Sequence, residues 1–544
     1  MAKIIYKAEK GLIFASIAIV VMSVIVRIIM YIKCPSLWSD EAYLAENIVS
    51  RNWLELLATP LINLQSAPVL YIIAVKAIGS IFGYSEGSLR IFSFFAFIGL
   101  LICEVIFLKK IFNFNNCKIA FVVVMSALLP SYIWHSNVLK PYMSDAFFVL
   151  LITLLYFYYT QGKIKLPILT GLYILILGFS SPAVFFIGGT LLFEFISTIL
   201  NKNRKQMLFY IAISGIVILA IFAVYYHWWM EPATEGMKIW WDGYAKNESI
   251  IHRIMSIFSS SINWDVYYRN QSKMHQIMSM LFSSINWDNY EQSRIHQIVS
   301  IFSFIKENLC NVFVCFFLPF ALLGIYSLCK SKNKIACSLA LSLLLAFLAS
   351  SIGKWPLATR LWLFLPAIVF IFTPIGADIV LNKAKNKKII SAIEFSFIAT
   401  IVLCLSVNCL GFAKHKMYFI TQETNPLISY VKENIKDDEK IYVDGYATFT
   451  FRYKNGYNAT KIGNVADNNI IYGKARTSWA DADLLENDIQ SILENKKTYL
   501  LFTTTYYSNY IEKGLAVLRK YGTLTEIMNV YDTPLYYFER NEVP

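Results

Sequence analysis

Apolar residues in this chain come in long unbroken runs, not in the short alternations of a soluble fold. Eleven runs reach or approach the roughly 20 residues a helix needs to cross a bilayer. They are 11–32, 89–108, 119–135, 142–160, 166–180, 182–200, 207–228, 309–328, 335–352, 360–381 and 389–413. A twelfth, 67–83, is interrupted by Lys76 and Gly79. From about Asn425 the period changes. Helix-like segments (Pro426 to Ile435, Asp483 to Asn495, Ser508 to Tyr521) alternate with strand-like ones (Lys440 to Asp444, Thr498 to Thr503, Leu524 to Tyr531, Leu535 to Glu539). The pattern predicts an α-helical polytopic membrane domain over 1–413 and a small α/β domain over 414–544.

Composition agrees with this division. Of the 544 residues, 57% are hydrophobic and 16% charged, against about 25% charged in soluble proteins. The formal net charge is +13, but it is not spread evenly. Lys414 to Pro544 carries 16 basic and 17 acidic residues; the rest carries 33 and 19. The excess therefore belongs to the apolar part. It gathers in six clusters: Lys3/Lys7/Lys10, Lys109/Lys110/Lys118, Lys163/Lys165, Lys202/Arg204/Lys205, Lys330/Lys332/Lys334 and Lys383/Lys385/Lys387/Lys388. Short basic loops mark the cytoplasmic side. With eleven spans all six clusters fall on the side of the N-terminus. If 67–83 crossed, every cluster after the first would change sides. The charge is thus a topogenic signal, which removes the case for nucleic acid and makes 67–83 a segment at the outer surface.

This topology places the loop 33–88, the short loop 136–141, the long loop 229–308 and the C-terminal domain outside. All six histidines (His135, His227, His252, His275, His296, His415) fall there or at outer span ends. The nine cysteines lie mostly inside apolar runs without ligand spacing, so neither a disulfide framework nor a zinc site is expected.

Directly after the first span comes Leu37-Trp38-Ser39-Asp40-Glu41-Ala42-Tyr43. Two adjacent carboxylates at a membrane interface are costly and invite a functional reading; Ser39 or Asp40 capping a helix is the plainer one. Pro68-Val69-Leu70-Tyr71 leads through Phe82-Gly83 to Ser88-Leu89-Arg90. Lys140-Pro141-Tyr142-x-Ser144-Asp145 opens the fourth span, and Thr359-Arg360 precedes Leu365-Pro366. In these motifs and their topology, residues 1–413 resemble the polytopic GT-C glycosyltransferases. These include the protein O-mannosyltransferases (family 39-like) and the bacterial transferases that take aminoarabinose or other sugars from polyprenyl phosphate. A glutamate that helps bind metal in the aminoarabinose enzymes has no clear counterpart in this chain; Gln65 and Ser66 sit near that place.

The resemblance implies a transfer from a polyprenyl-phosphate sugar donor, with undecaprenyl phosphate as a bacterial carrier, to an extracytoplasmic lipid, glycan or protein acceptor. It implies a location in the cytoplasmic membrane. Transfer needs a base for the acceptor hydroxyl and cations for the departing phosphate. Asp40 is the candidate base, with Glu41 supporting it or orienting the acceptor. Arg90, Lys140 and Arg360, each at an outer span end, are the candidate phosphate clamp. Tyr142 and Asp145 are the candidate donor-site lining. No metal ligand is assigned, and a divalent metal is left open. Glu104, Glu194 and Glu394, nearer the inner side, read as interhelical hydrogen-bonding groups.

Residues 241–307 hold three near copies of one unit, beginning Trp241-Asp242, Trp264-Asp265 and Trp287-Asp288 and reaching His252, His275 and His296. Each reads as a turn and an amphipathic helix, and the histidines as copies of one surface residue. The C-terminal part lacks a nucleotide or nucleophile motif, so a role in acceptor binding, covering the site or structure is expected of it. Two other functions remain. An envelope polysaccharide polymerase or ligase usually lacks an acidic pair after the first span. A transporter would show internally repeated bundles and midplane charges.

Overall fold

The computed structural model describes residues 2–62, 65–200, 205–232, 317–352, 354–356, 359–383, 422–474, 485–503, 508–531 and 533–541. The three repeats, the run 389–413 with Glu394, the boundary near residue 413, and His252, His275, His296 and His415 lie outside the described residues. In chain order the helices of the apolar part are α1 (Ala2–Lys33), α2 (Ser39–Ser50), α3 (Trp53–Ala58), α4 (Val69–Phe82), α5 (Glu86–Lys110), α6 (Asn116–Leu128), α7 (Pro130–His135), α8 (Tyr142–Thr160), α9 (Leu166–Leu177), α10 (Ala183–Leu200), α11 (Lys205–Tyr225), α12 (Phe317–Lys330), α13 (Lys334–Ser351) and α14 (Leu365–Lys383). Among the described residues, seven of these helices are long and apolar enough to cross a membrane: α1, α5, α8, α10, α11, α13 and α14. The chain is a multi-pass helical membrane protein with a small C-terminal α/β domain.

Two predicted runs differ in detail. The run 119–135 is divided, because Pro130 has no N–H and its ring blocks the preceding turn. Helix α6 stops at Leu128, and α7 starts on Pro130. The run 360–381 begins with a 3₁₀ turn, Thr359–Trp362, ahead of α14.

Tight helix crossings use small residues, as expected where apolar burial does not distinguish helix from lipid. A Cβ on Gly376 of α14 would collide with the Phe320 backbone of α12, and one on Gly189 of α10 with Ser342 of α13. Buried carboxylates tie other pairs. Glu104 of α5 accepts from Ser126 of α6 at 2.6 Å, and Glu194 of α10 accepts from Tyr156 of α8 at 2.8 Å.

Helix α4 occupies the stretch 67–83, and both its ends meet the same end of the bundle. At its start, Leu70 N–H donates to Gly178 O (2.7 Å) in the turn after α9. Beyond its last residue, Tyr84 O accepts from Tyr453 of the C-terminal domain. Between them, Lys76 Nζ donates to Ile48 O and Arg51 O, both at 2.7 Å, at the C-terminus of α2. A cation there satisfies end carbonyls and complements the helix dipole. The lysine that interrupts the apolar run is thus a cap for a neighbouring helix. At 14 residues α4 is shorter than the helices that are long and apolar enough to cross a membrane.

A second apolar core forms at this end. Helix α2 buries Ala42, Leu44, Ala45 and Ile48 against Tyr71, Ile72 and Val75 of α4, Leu89 of α5, Leu139 and Trp229. This face leaves Asp40 on another side of α2.

The C-terminal domain adds α15 (Asn425–Asn434), β1 (Lys440–Val443), α16 (Thr448–Asn455), β2 (Ile470–Tyr472), α17 (Leu485–Leu493), β3 (Lys497–Leu501), α18 (Ser508–Leu518), β4 (Gly522–Val530) and β5 (Thr533–Arg540). The sheet order is β2-β1-β3-β5-β4; β2, β1 and β3 run parallel, and β5 is antiparallel to both neighbours. Alternate strand residues face opposite sides. Tyr442, Leu500 and Phe538 pack on α17 and α18, while Ile441, Val443 and Leu501 pack on α15 and α16.

Candidate functional site

The site forms where four separate segments meet at the end of the bundle that carries α2. The first is the start of α2. Its N-cap residue, Trp38, has no side-chain cap bond to offer. The acidic pair follows at once, and the two carboxylates part. Successive helix residues are turned by about 100°, so Glu41 faces the bundle and Asp40 the opening.

Glu41 is fully buried. Its Oε1 accepts from Arg90 Nε at 2.9 Å and its Oε2 from Arg90 Nη2 at 2.6 Å. Leu139 N–H donates to Oε1 and Trp38 N–H to Oε2. Arg90 spends its remaining reach on Pro35 O (2.7 Å) and Ser36 O (3.1 Å). This bidentate pair is closed. It fastens the α1–α2 loop, the start of α5 and the loop before α8 to one another.

Asp40 retains some exposure, 22% of its side chain. Its Oδ1 lies 2.9 Å from Lys140 Nζ and accepts from Gln65 Nε2 at 3.3 Å; its Oδ2 lies 3.4 Å from Arg360 Nη1. Gln65 Oε1 in turn accepts from Lys140 Nζ at 2.5 Å. Burial pushes the Asp40 carboxyl up. Lys140 and Arg360, with the hydrogen bonds from Lys140 and Gln65, more than offset this and hold it below the usual carboxylate range. Lys140 is itself lowered, by burial first and by Arg360, against the opposing pull of Asp40.

Local structure aims each cation. Lys140 sits in the turn before α8, where Pro141 starts the helix and Lys140 O accepts from Ser93 Oγ (3.1 Å). Arg360 rides on the 3₁₀ turn anchored by fully buried Trp362, whose Nε1 donates to Pro356 O. Tyr132 holds the next stretch, donating to Leu363 O and accepting from Ala367 N–H. The Arg360 guanidinium lies 5.7 Å from the Tyr142 ring centroid, a cation–π distance, and His135 meets that ring edge-on at 5.2 Å. Asp145 is buried one turn into α8, beside Ser180 and Ser181; its Oδ1 has no partner among the described residues. His227 is exposed and pairs with Glu231.

The structure therefore brings Asp40, Lys140, Arg360 and Tyr142 together, with Asp145 below them. It sets Glu41 and Arg90 apart as a buried pair. Three contributors stand outside the sequence-derived site residues. Gln65 bridges Asp40 and Lys140. Gln422 and Glu423, at the entry to the C-terminal domain, bond the loop ahead of Asp40. No local signal marks the last two, which lie more than 380 residues away. Tyr43, one turn after Asp40, reaches the same domain. Burial, then neighbouring Tyr446, Asp40 and Asp444, push its phenol above the ordinary range.

The donor set around Asp40 is one carboxylate, one amide and two cations, which does not fit a divalent metal. Among the described residues, no group of three His, Cys, Asp or Glu side chains can hold a metal ion.

No protein-family model matches the chain, and no curated protein sequence does. Among solved structures, it is similar to ArnT from Cupriavidus metallidurans in the apo state, at 10% identity with a TM-score of 0.47, over 96% of this chain and 98% of that one. It is also similar to the same protein bound to undecaprenyl phosphate, at 10% identity with a TM-score of 0.48, over 96% and 97%.

Proposed function

We propose that this protein is a membrane glycosyltransferase that moves a sugar from a polyprenyl-phosphate donor to an extracytoplasmic acceptor hydroxyl, with Asp40 as general base. The observation that carries the reading is a partly open carboxylate flanked by two cations, Lys140 and Arg360, at the end of a helical bundle. Under the positive-inside rule this end faces away from the cytoplasm. Undecaprenyl phosphate is the carrier that the sequence resemblance implies.

In this reaction the acceptor oxygen bonds to the anomeric carbon and its proton passes to the Asp40 carboxylate. The bond from the anomeric carbon to the phosphate oxygen breaks, and its electron pair leaves with the polyprenyl phosphate. Lys140 and Arg360 balance the charge that grows there. In the structure both cations rest on Asp40. A phosphate entering beside them draws part of that interaction away and raises the basicity of the carboxylate as the donor binds. Tyr142 and Asp145 line the donor side of the cations. Glu41 and Arg90 do not touch substrate in this scheme; they hold the frame.

The test is a labelled polyprenyl-phosphate sugar supplied to membranes containing the protein. Wild type is expected to incorporate label into a lipid, glycan or protein, and Asp40→Asn to lose this while remaining folded. Full transfer by Asp40→Asn, or uptake of label without covalent transfer, overturns the reading.

A further inference from the structure

A short segment at the entry to the C-terminal domain, Gln422 to Asn425, bonds the loop that presents Asp40. Glu423 is buried, and its two oxygens accept from Ser36 N–H at 3.0 Å and Ser36 Oγ at 2.5 Å. Ser36 Oγ accepts in return from the N–H groups of Thr424 (3.1 Å) and Asn425 (2.9 Å). Gln422 Oε1 accepts from Ser39 N–H at 2.8 Å. Ser39 opens α2, and its N–H is one of the first-turn donors that a helix cannot satisfy internally. Trp38 cannot cap it, so the cap comes from Gln422. The cap has a conformational cost. Gln422 sits at φ +61°, in the left-handed region that non-glycine residues seldom adopt and that persists only where surroundings impose it.

We propose that Gln422 and Glu423 are positioning residues for the reaction, forming a strap that sets Asp40 against Lys140 and Arg360. This rests on Asp40 being the base. The remaining docking contacts lie around the strap but do not bond the residues that frame Asp40. Asn425 Nδ2 donates to Glu86 Oε1 (3.0 Å), Lys454 pairs with Glu86 (3.3 Å), and Arg452 pairs with Glu46 (3.2 Å). Phe449 meets the Tyr43 ring edge-on at 4.5 Å. The strap is thus the part of the interface that reaches the catalytic loop itself.

The full-length protein in membranes, assayed with a labelled polyprenyl-phosphate sugar, tests this. Gln422→Gly keeps the left-handed backbone and removes only the cap. Glu423→Gln places an amide donor against a donor. Both are expected to lower kcat about tenfold or more, in line with the roughly hundredfold that a 1 Å misplacement costs, with KM for the donor within twofold. Gln422→Glu, which keeps an acceptor, is expected to restore most of the rate. Arg452→Met, which loosens the interface away from the strap, is expected to stay within twofold of wild type. The proposal is overturned if Gln422→Gly and Glu423→Gln are fully active while Asp40→Asn is dead. It is overturned too if Arg452→Met is as damaging as Gln422→Gly, or if Gln422→Glu fails to rescue and the thermal midpoint falls with the rate. An active Asp40→Asn is a separate result, and overturns the reading of the site instead.

Discussion

Asp40 and Glu41 are neighbours in sequence with opposite surroundings. Glu41 has both oxygens engaged, sees no solvent and is matched by one arginine that spends four of its five N–H groups on this frame. Asp40 is shared among two cations and an amide, at 2.9, 3.4 and 3.3 Å, and keeps a path to the outside. A closed pair resists exchange of partners, whereas a shared, partly open one permits it. An acidic pair is therefore not one functional unit. In the proposed reaction its two members divide frame from chemistry, because a helix turns them apart.

The largest expected effect breaks the open member. Asp40→Asn keeps the size and an acceptor for Lys140 and Gln65, but it turns an amide N–H₂ toward Arg360 and cannot take a proton. General-base catalysis contributes about 10²–10⁴-fold, so label transfer is expected to fall by that factor, with the thermal midpoint nearly unchanged. The converse holds for the closed member. Glu41→Gln turns an amide donor toward the Arg90 fork and leaves a buried cation without its counter-charge. Breaking such a pair costs about 3–5 kcal/mol, read as a fall in thermal midpoint of the solubilised protein. Activity then fails through loss of folded protein. If Glu41→Gln is as stable as wild type but inactive, the division between the two acids is wrong.

Lys140→Met sharpens the comparison through pH. In the proposed reaction Asp40 acts in its ionised form, so the rate is expected to fall on the acid side as the carboxylate takes up a proton. In wild type the cations hold its pKa below the usual range, which puts that limb at low pH. Without Lys140 the effect of burial is opposed by Arg360 and Gln65 alone, so the pKa rises and the acid limb of kcat/KM moves to higher pH. The rate on the plateau is expected to fall about 10²-fold, the usual consequence of losing one preorganised charge-stabilising group. An unmoved acid limb would show that Lys140 does not act on the base.

How much of this was legible in the sequence follows from range. Run lengths predict the seven described helices that are long and apolar enough to cross a membrane, since spanning is a local property of about 20 residues. Basic loops set 67–83 apart from the predicted spans, and α4 is shorter than the helices long enough to cross a membrane. The motif residues Asp40, Lys140, Tyr142 and Arg360 were visible as polar groups at the ends of apolar runs. What the sequence could not tell was which cation each acid would meet. Arg90 reads like a clamp residue because its position resembles one, yet its partner is decided by how α5 stands beside α2. Lys76 reads as a flaw in a span and serves as a cap. Helix α16 was missed because Thr448-Phe-Thr-Phe-Arg-Tyr is rich in strand-favouring residues. Its helix is held by docking, with Phe449 on Tyr43 and Arg452 on Glu46. Gln422 and Glu423 were beyond reach because their partners are nearly the whole chain away.

Glu104 offers a third kind of carboxylate and the smallest effect. It lies inside the bundle and bonds one hydroxyl, that of Ser126 at 2.6 Å; among the described residues it meets no cation and its Oε2 has no partner. It neither fastens a cation, as Glu41 does, nor stands at an opening, as Asp40 does. Glu104→Gln keeps an acceptor for Ser126 and removes the burden of a buried acid. It also places an amide N–H₂ where an oxygen had no partner, which costs about 1–3 kcal/mol if left unmet. The two changes oppose each other, so the midpoint is expected to shift by no more than a few degrees and transfer to stay near wild type. A loss as large as that of Glu41→Gln would mean that Glu104 bears charge against a partner, and that the contrast between paired and unpaired acids does not extend into the bundle.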